Sequence, residues 1–273
     1  MKLIPIFCLV LLNLLWLPVD LHSIASADPT DWPQWRGMNR DGQAAPQMLA
    51  QTWPAPGPAV TWEASNLGRG YSSMSVADGC LFTMGADDES CFAVCLDSET
   101  GKQIWKTNVS RAGVGGDYNL GWGGGPRSTP TVHGDQIYVL SDVGVVAALK
   151  KDSGDVLWSV DLVKEYRGKI PKWGYSESIL VDEQRIIVTP GGENFMVGLD
   201  LHTGRLLWKS RGYESTSHYV SVMKGSIGGV SYYVTASNKG IVAFDTSNGN
   251  ILFENPTTGN DVATIQRRFW QKT

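Results

Sequence analysis

Apolar and polar residues alternate in short runs along most of this chain, and the runs come in sets. Residues 72–76, 80–84 and 91–96 form one set, and 128–132, 136–140 and 145–149 a second. Residues 176–180, 185–189 and 195–199 form a third, and 219–223, 230–235 and 240–244 a fourth. A period of two, rich in Val, Ile, Tyr and Thr and broken by Asp-Gly, Gly-Asp or Gly-Gly, predicts strands joined by tight turns. Beyond the N-terminus no stretch sustains a period of 3.6; residues 164–172 allow one helical turn in a loop.

Each set closes on one phrase. Its first copy reads Ala-Val-Cys-Leu-Asp-Ser-Glu-Thr-Gly-Lys-Gln-Ile-Trp and ends at Trp105. Later copies end at Trp158, Trp208 and, with phenylalanine instead, Phe253. The aromatic always stands four residues after a glycine, and Gly101, Gly154, Gly204 and Gly249 are 53, 50 and 45 residues apart. Asp or Ser caps the turn and Gly supplies positive φ, so a fourth strand begins there. Repeats of this period predict an all-β propeller of four-stranded antiparallel blades, about four of them present. The aromatics Trp62, Trp105, Trp158, Trp208 and Phe253 are then expected as staples buried between successive blades, because large flat rings suit a seam between packed sheets.

Trp62 belongs to a strand without a blade. Residues 59–64 resemble the last strand of the phrase, with Trp62 43 residues before Trp105, but the three preceding strands are missing. Propellers usually close by pairing such a strand with the last blade. After Phe253 the pattern fades, and residues 266–273 are basic and unpatterned. The expectation is a partial, open propeller, interrupted as by a frameshift or early stop; a closed four-blade ring is the alternative.

The N-terminus changes the compartment. Lys2, an apolar run over residues 3–17 and Ala25-Ser26-Ala27 form a secretory signal with its cleavage site after Ala27. The expected divisions are a signal at 1–27, an N-terminal extension at 28–57, propeller repeats at 58–265 and a tail at 266–273. The protein is expected in the periplasm or secreted, with no membrane anchor after cleavage. A net charge of −4 without a basic stripe argues against nucleic acid as a partner. Cys80, Cys91 and Cys95 remain in the mature chain. Cys80 and Cys95 fall opposite each other if the hairpin turns at Asp87-Asp88. Both a disulfide and buried free thiols are open there. No zinc spacing is present.

Candidate chemistry is sparse. His133 and His202 sit in turns, and His218 lies at a strand start on the upper face. No nucleophile elbow, phosphate loop or metalloprotease helix occurs. Two loops are richer: Gly121-Trp122-Gly123-Gly124-Gly125-Pro126-Arg127 and Lys172-Trp173-Gly174-Tyr175-Ser176-Glu177 each lead into a first strand. Arg69 and Tyr71 hold the equivalent place in the first blade. Arg69, Tyr71, Arg127, Trp173 and Glu177 are therefore candidates for one ligand or partner face at the channel mouth, suited to a polar or anionic ligand. The bland reading pairs Arg127 with Glu177, or caps channel backbone with them.

The Ala-x-Asp-x-x-Thr-Gly-x-x-x-Trp phrase resembles the blade motif of PQQ-like β-propellers, the quinoprotein alcohol dehydrogenase-like superfamily. Asp31-Trp32-Pro33-Gln34-Trp35-Arg36-Gly37-Met38-Asn39-Arg40-Asp41-Gly42 is similar to the N-terminal signature of its secreted members, and the likeness spans residues 31–265. Dehydrogenases of this kind carry PQQ, calcium, a catalytic Asp and often an adjacent-cysteine disulfide. This chain has no Cys-Cys, and no Asp or calcium ligand can be matched by motif. Members without the cofactor site resemble the periplasmic assembly lipoprotein of the outer-membrane barrel machinery, which acts by binding. The expectation is an exported, non-catalytic binding module without cofactor. The partner is a protein or a small polar ligand. A PQQ-dependent alcohol or polyol dehydrogenase, or its degenerate remnant, is the alternative; PQQ and calcium enter only there.

Overall fold

A computed structural model describes residues 31–264, apart from positions 47 and 49. The signal and tail readings lie outside the described residues. Among the described residues, sixteen strands make four meandering antiparallel sheets, one per repeat. The first holds β1 (Ser75–Ala77), β2 (Cys80–Ala86), β3 (Ser90–Asp97) and β4 (Gln103–Arg111). The second holds β5 (Thr131–His133), β6 (Gln136–Leu140), β7 (Val145–Lys150) and β8 (Val156–Asp161). The third holds β9 (Leu180–Asp182), β10 (Arg185–Val188), β11 (Val197–Asp200) and β12 (Leu206–Lys209). The fourth holds β13 (Met223–Ile227), β14 (Val230–Ser237), β15 (Gly240–Asp245) and β16 (Ile251–Asn255). First strands of neighbouring sheets touch, β1 with β5 and β5 with β9, so they line the axis. The blades form an open arc, not a closed ring.

The middle strands of each blade are buried on both faces and read as continuous apolar runs, such as Phe82, Met84, Ala93 and Cys95 packed on Ile137, Val139 and Leu149. First strands are shorter than their patterning suggests. The residues preceding them at the axis pair blade to blade through side chains instead of joining a ladder. One helix, α1 (Leu162–Tyr166), bridges the second and third blades. Asp161 caps it by accepting from the Val163 and Lys164 amides, and Arg167 ends it at φ +53°.

Blade-to-blade packing repeats one unit. In each turn the glycine amide donates to the carbonyl four residues back, as Gly101 to Asp97 and Gly154 to Lys150 (both 2.9 Å). Positive φ (+73° at Gly154) and space both demand glycine here: a Cβ on Gly154 would stand 2.7 Å from the Trp105 ring. Trp62, Trp158 and Trp208 crowd Gly101, Gly204 and Gly249 in the same way. Three of these indoles also donate Nε1–H to the turn they cover: Trp62 to Ser98 O, Trp105 to Lys151 O and Trp158 to Leu201 O (3.0, 3.0 and 3.2 Å). Within its own blade each aromatic faces a small cross-strand residue, Cys95, Ala148, Gly198 or Ala243.

Several expectations need correcting. Only Trp105 is nearly closed off, at 8% exposure; Trp62, Trp158 and Trp208 are half-buried, and Phe253 is 45% exposed because no described turn covers it. Residues 59–64 join no ladder. Trp62 and Ala64 still pack on Leu81, Phe92 and Leu96 of the first blade, where a preceding outer strand would lie. Cys95 pairs across the ladder with Phe82, and Cys80 with Asp97; the two thiols are diagonal neighbours, and all three described cysteines are free. No helix among the described residues is long and apolar enough to cross a membrane.

Candidate functional site

Three layers build the axial end of the arc. The deepest is the N-terminal segment. Trp32 bridges Val76 of β1 in both directions (2.8 and 2.9 Å), and Pro33 O accepts from Val132 of β5 (2.7 Å). Arg40 then donates to Ser178 O (2.8 Å) and Ile179 O (3.1 Å) beside β9. Residues 32–40 thus run along the inner strands of three blades in succession. Arg40 is buried, and burial lowers its pKa to about 10, opposed by Glu177. Glu177, 2% exposed, accepts from the Thr189 amide at 2.5 Å through one oxygen while the other has no partner. Burial pushes its pKa up to about 7 against the pull of Thr189 and Arg40.

The second layer is a belt of hydroxyls. Ser72 Oγ donates to Ser128 O (2.7 Å), joining the first two blades. Ser178 Oγ accepts from the Thr129 amide (2.9 Å), and Ser221 Oγ from the Ser178 amide (2.9 Å). Short polar side chains suit this place, where strands converge too closely for ladders but must satisfy their amides.

The third layer is the mouth. A cavity of about 580 Å³ opens there, lined by Trp122, Arg127, Trp173, Ser176, Tyr219, Val262 and Ala263. Arg127 is held by the Gly123 and Gly125 carbonyls (2.9 and 3.1 Å) and lies 5.0 Å over the Tyr71 ring. The Tyr71 hydroxyl donates to Trp122 O. Below the loop, the Tyr118 hydroxyl donates to Asp142 (2.5 Å) and accepts from the Gly125 amide (3.1 Å). Burial, then this carboxylate, push its pKa up to about 12. Across the cavity the Trp173 amide donates to the Tyr219 hydroxyl (3.1 Å), with the rings 5.4 Å apart. Trp173 Nε1 and Ser176 Oγ are buried without a partner.

Of the five candidates, Arg127 and Trp173 share the cavity and Tyr71 supports it from below. Arg69 turns away to an exposed pair with Asp88 (2.8 Å), and its backbone bridges Ala86. Glu177 lies under the belt, away from the lining and not paired with Arg127, which caps loop carbonyls instead. The walls are mainly apolar, not charged. Tyr219, Val262 and Ala263 were missed because they come from the fourth repeat, whose segment before β13 and chain after β16 carry no glycine-tryptophan loop. Arg40 was missed because nothing periodic marks it. His202 hydrogen-bonds Gln184 at an exposed turn (2.9 Å), whereas His218 is buried beside the mouth.

The clasped tryptophan-glycine turns, the inner strands at the axis and the four-strand meander define a PQQ-like β-propeller. Residues 92–271 match the family of the outer membrane protein assembly factor BamB, more than half of the chain, and the chain belongs to this family. It is 23% identical over 171 residues to an uncharacterized protein of Rickettsia conorii, covering 59% of this chain and 36% of that one. Its fold is similar to the quinohemoprotein alcohol dehydrogenase ADHIIG of Pseudomonas putida HK5 (TM-score 0.58, 17% identity, 86% of this chain and 41% of that enzyme). It is similar also to the quinohemoprotein alcohol dehydrogenase of Comamonas testosteroni (TM-score 0.55, 16% identity, 82% and 40%). The chain thus spans about two fifths of these enzymes and about a third of the Rickettsia protein.

Proposed function

We propose that this chain is an exported, non-catalytic binding module whose ligand or partner engages the mouth of the propeller axis. The observation that carries this is the 580 Å³ cavity walled by Trp122, Trp173 and Tyr219, a volume typical of small-molecule sites. Arg127 is fixed by two carbonyls and presents a cation at its edge. Trp122, at 73% exposure, leaves most of its ring open to a guest.

Export is supported by the Lys2, apolar and Ala25-Ser26-Ala27 pattern, and membership of a family named for an outer membrane assembly factor is compatible with it. A calcium–quinone centre fits the residues poorly. Among those described, no group of three or more His, Cys, Asp or Glu is placed to hold a metal ion. One oxygen of Glu177 already accepts from the Thr189 amide, and its charge is felt by the buried Arg40. No step is derived through such a centre.

Calorimetric titration with 2-phenylethanol tests the reading. Measurable binding that Trp173→Ala weakens about tenfold is expected, the loss of one aromatic contact. Dye-linked oxidation of the same alcohol after loading with PQQ and calcium would overturn the non-catalytic assignment.

A further inference from the structure

A smaller recess of about 220 Å³ adjoins the aromatic cavity, and Tyr219 and Val262 line both. Its remaining walls are Lys172, Thr216, Ser217, His218, Asn238 and Asp261. The hydrogen bonds around it fix which atoms are left to face a guest.

Asn238 Oδ1 accepts from Ser215 Oγ (2.5 Å) and the Thr216 amide (3.1 Å). Both bonds fall on the oxygen, so the Nδ2 hydrogens take no part in them. His218 Nδ1 accepts from the Thr264 amide at 3.0 Å. An amide can only donate, so Nδ1 is the bare nitrogen and the neutral ring carries its proton on Nε2. Burial favours this neutral form. Ser217 is 2% exposed and its hydroxyl has no partner. A buried hydroxyl with no partner costs free energy unless a guest satisfies it. Lys172 adds a cation, lying 5.1 Å over the Trp173 ring. Asp261 is the acidic member of the lining, and its charge acts on His218. The set is therefore dominated by donors.

We propose that this recess is an anion pocket, and that with the aromatic cavity it forms one site for a small apolar molecule bearing a single carboxylate. The inference rests on the cavity reading above and names its ligand class. The apolar body lies among Trp122, Trp173 and Tyr219. The carboxylate passes Tyr219 to meet the Ser217 hydroxyl, His218 Nε2, Asn238 Nδ2 and the Lys172 ammonium.

The probes are phenylacetate and 2-phenylethanol, which share a body and differ in the head group. Titration of the intact protein by calorimetry should give phenylacetate an affinity at least about tenfold higher, the worth of one or two hydrogen bonds to a charged group. Ser217→Ala and Lys172→Met should each remove most of that preference, lowering phenylacetate affinity far more than that of 2-phenylethanol. Lys172 is exposed, so K172M keeps the test valid if S217A fails to fold. Trp173→Ala should weaken both probes alike. Equal affinities, or a preference untouched by both variants, would overturn the anion pocket while leaving the cavity intact. Binding of neither probe would overturn the cavity reading and this inference with it.

Discussion

The six-membered ring of Trp105 sits against the Cα of Gly154, close enough that a Cβ there would come within 2.7 Å, and its Nε1 is tied to Lys151 O of the same turn. One residue from each blade thus makes a joint that neither forms alone.

That joint predicts non-additive losses. Trp105→Ala should cost about 3–5 kcal/mol, as for a large core aromatic. Gly154→Ala should cost more than about 1 kcal/mol, from its φ of +73° and from the collision with the indole. The pair should lose less than the sum, because the smaller side chain removes the collision. Urea denaturation of the two single variants and the double variant checks this; strict additivity would separate the two residues.

Arg40 and Glu177 predict unequal losses. Arg40→Met removes charge-assisted hydrogen bonds to Ser178 O and Ile179 O and should destabilise by about 1.5–3 kcal/mol, whereas Glu177→Gln, which keeps the neutral form that burial favours, should cost little. If R40M proves neutral, the N-terminal segment does not hold the axis.

The pH dependence of Glu177 has a definite sign. Its folded pKa, about 7, is above its ordinary value of 4.5, so the folded protein binds the extra proton between the two. Its stabilising contribution is full below about pH 4.5 and is lost as pH rises through about 7, on the order of 3 kcal/mol in all. The Asp97, Asp200 and Asp245 turns act oppositely, since their carboxylates are lowered by bonds to Thr100, Thr203 and Ser247. The contribution is therefore the difference between wild type and E177Q across that range. Parallel curves would remove Glu177 as its source.

Thiol reactivity gives another expectation. Burial pushes the Cys91 and Cys95 thiols well up, and Cys80 is half-exposed. Iodoacetamide on the native protein should label Cys80 first and leave the other two until unfolding. Mass spectrometry of peptides reads the order, and early labelling of Cys91 would contradict the packing.

The blades were legible because their signals are local: a period of two, a positive-φ glycine and an aromatic four residues on. The seats of Trp105, Trp158 and Trp208 were not, because each is a glycine in the next repeat. The mouth was legible in part. Trp173 and Arg127 stand in a loop type that repeats, whereas Tyr219 and Val262 reach the cavity only through the curvature of the arc. Glu177 looked equivalent to Trp173 in position, yet β9 starts only at Leu180, and the extended approach to it turns that side chain inward.

The clasp also has a direction in time. Every indole precedes its seat in the chain: Trp62 comes before Gly101, Trp105 before Gly154, Trp158 before Gly204 and Trp208 before Gly249. A chain delivered N-terminus first therefore holds each finished sheet ajar until the following turn has emerged, so closure lags synthesis by about one blade. Chains stalled just before Gly204 should show Trp158 in a wet environment by its red-shifted emission. Chains lengthened until that turn has fully emerged should show it sheltered.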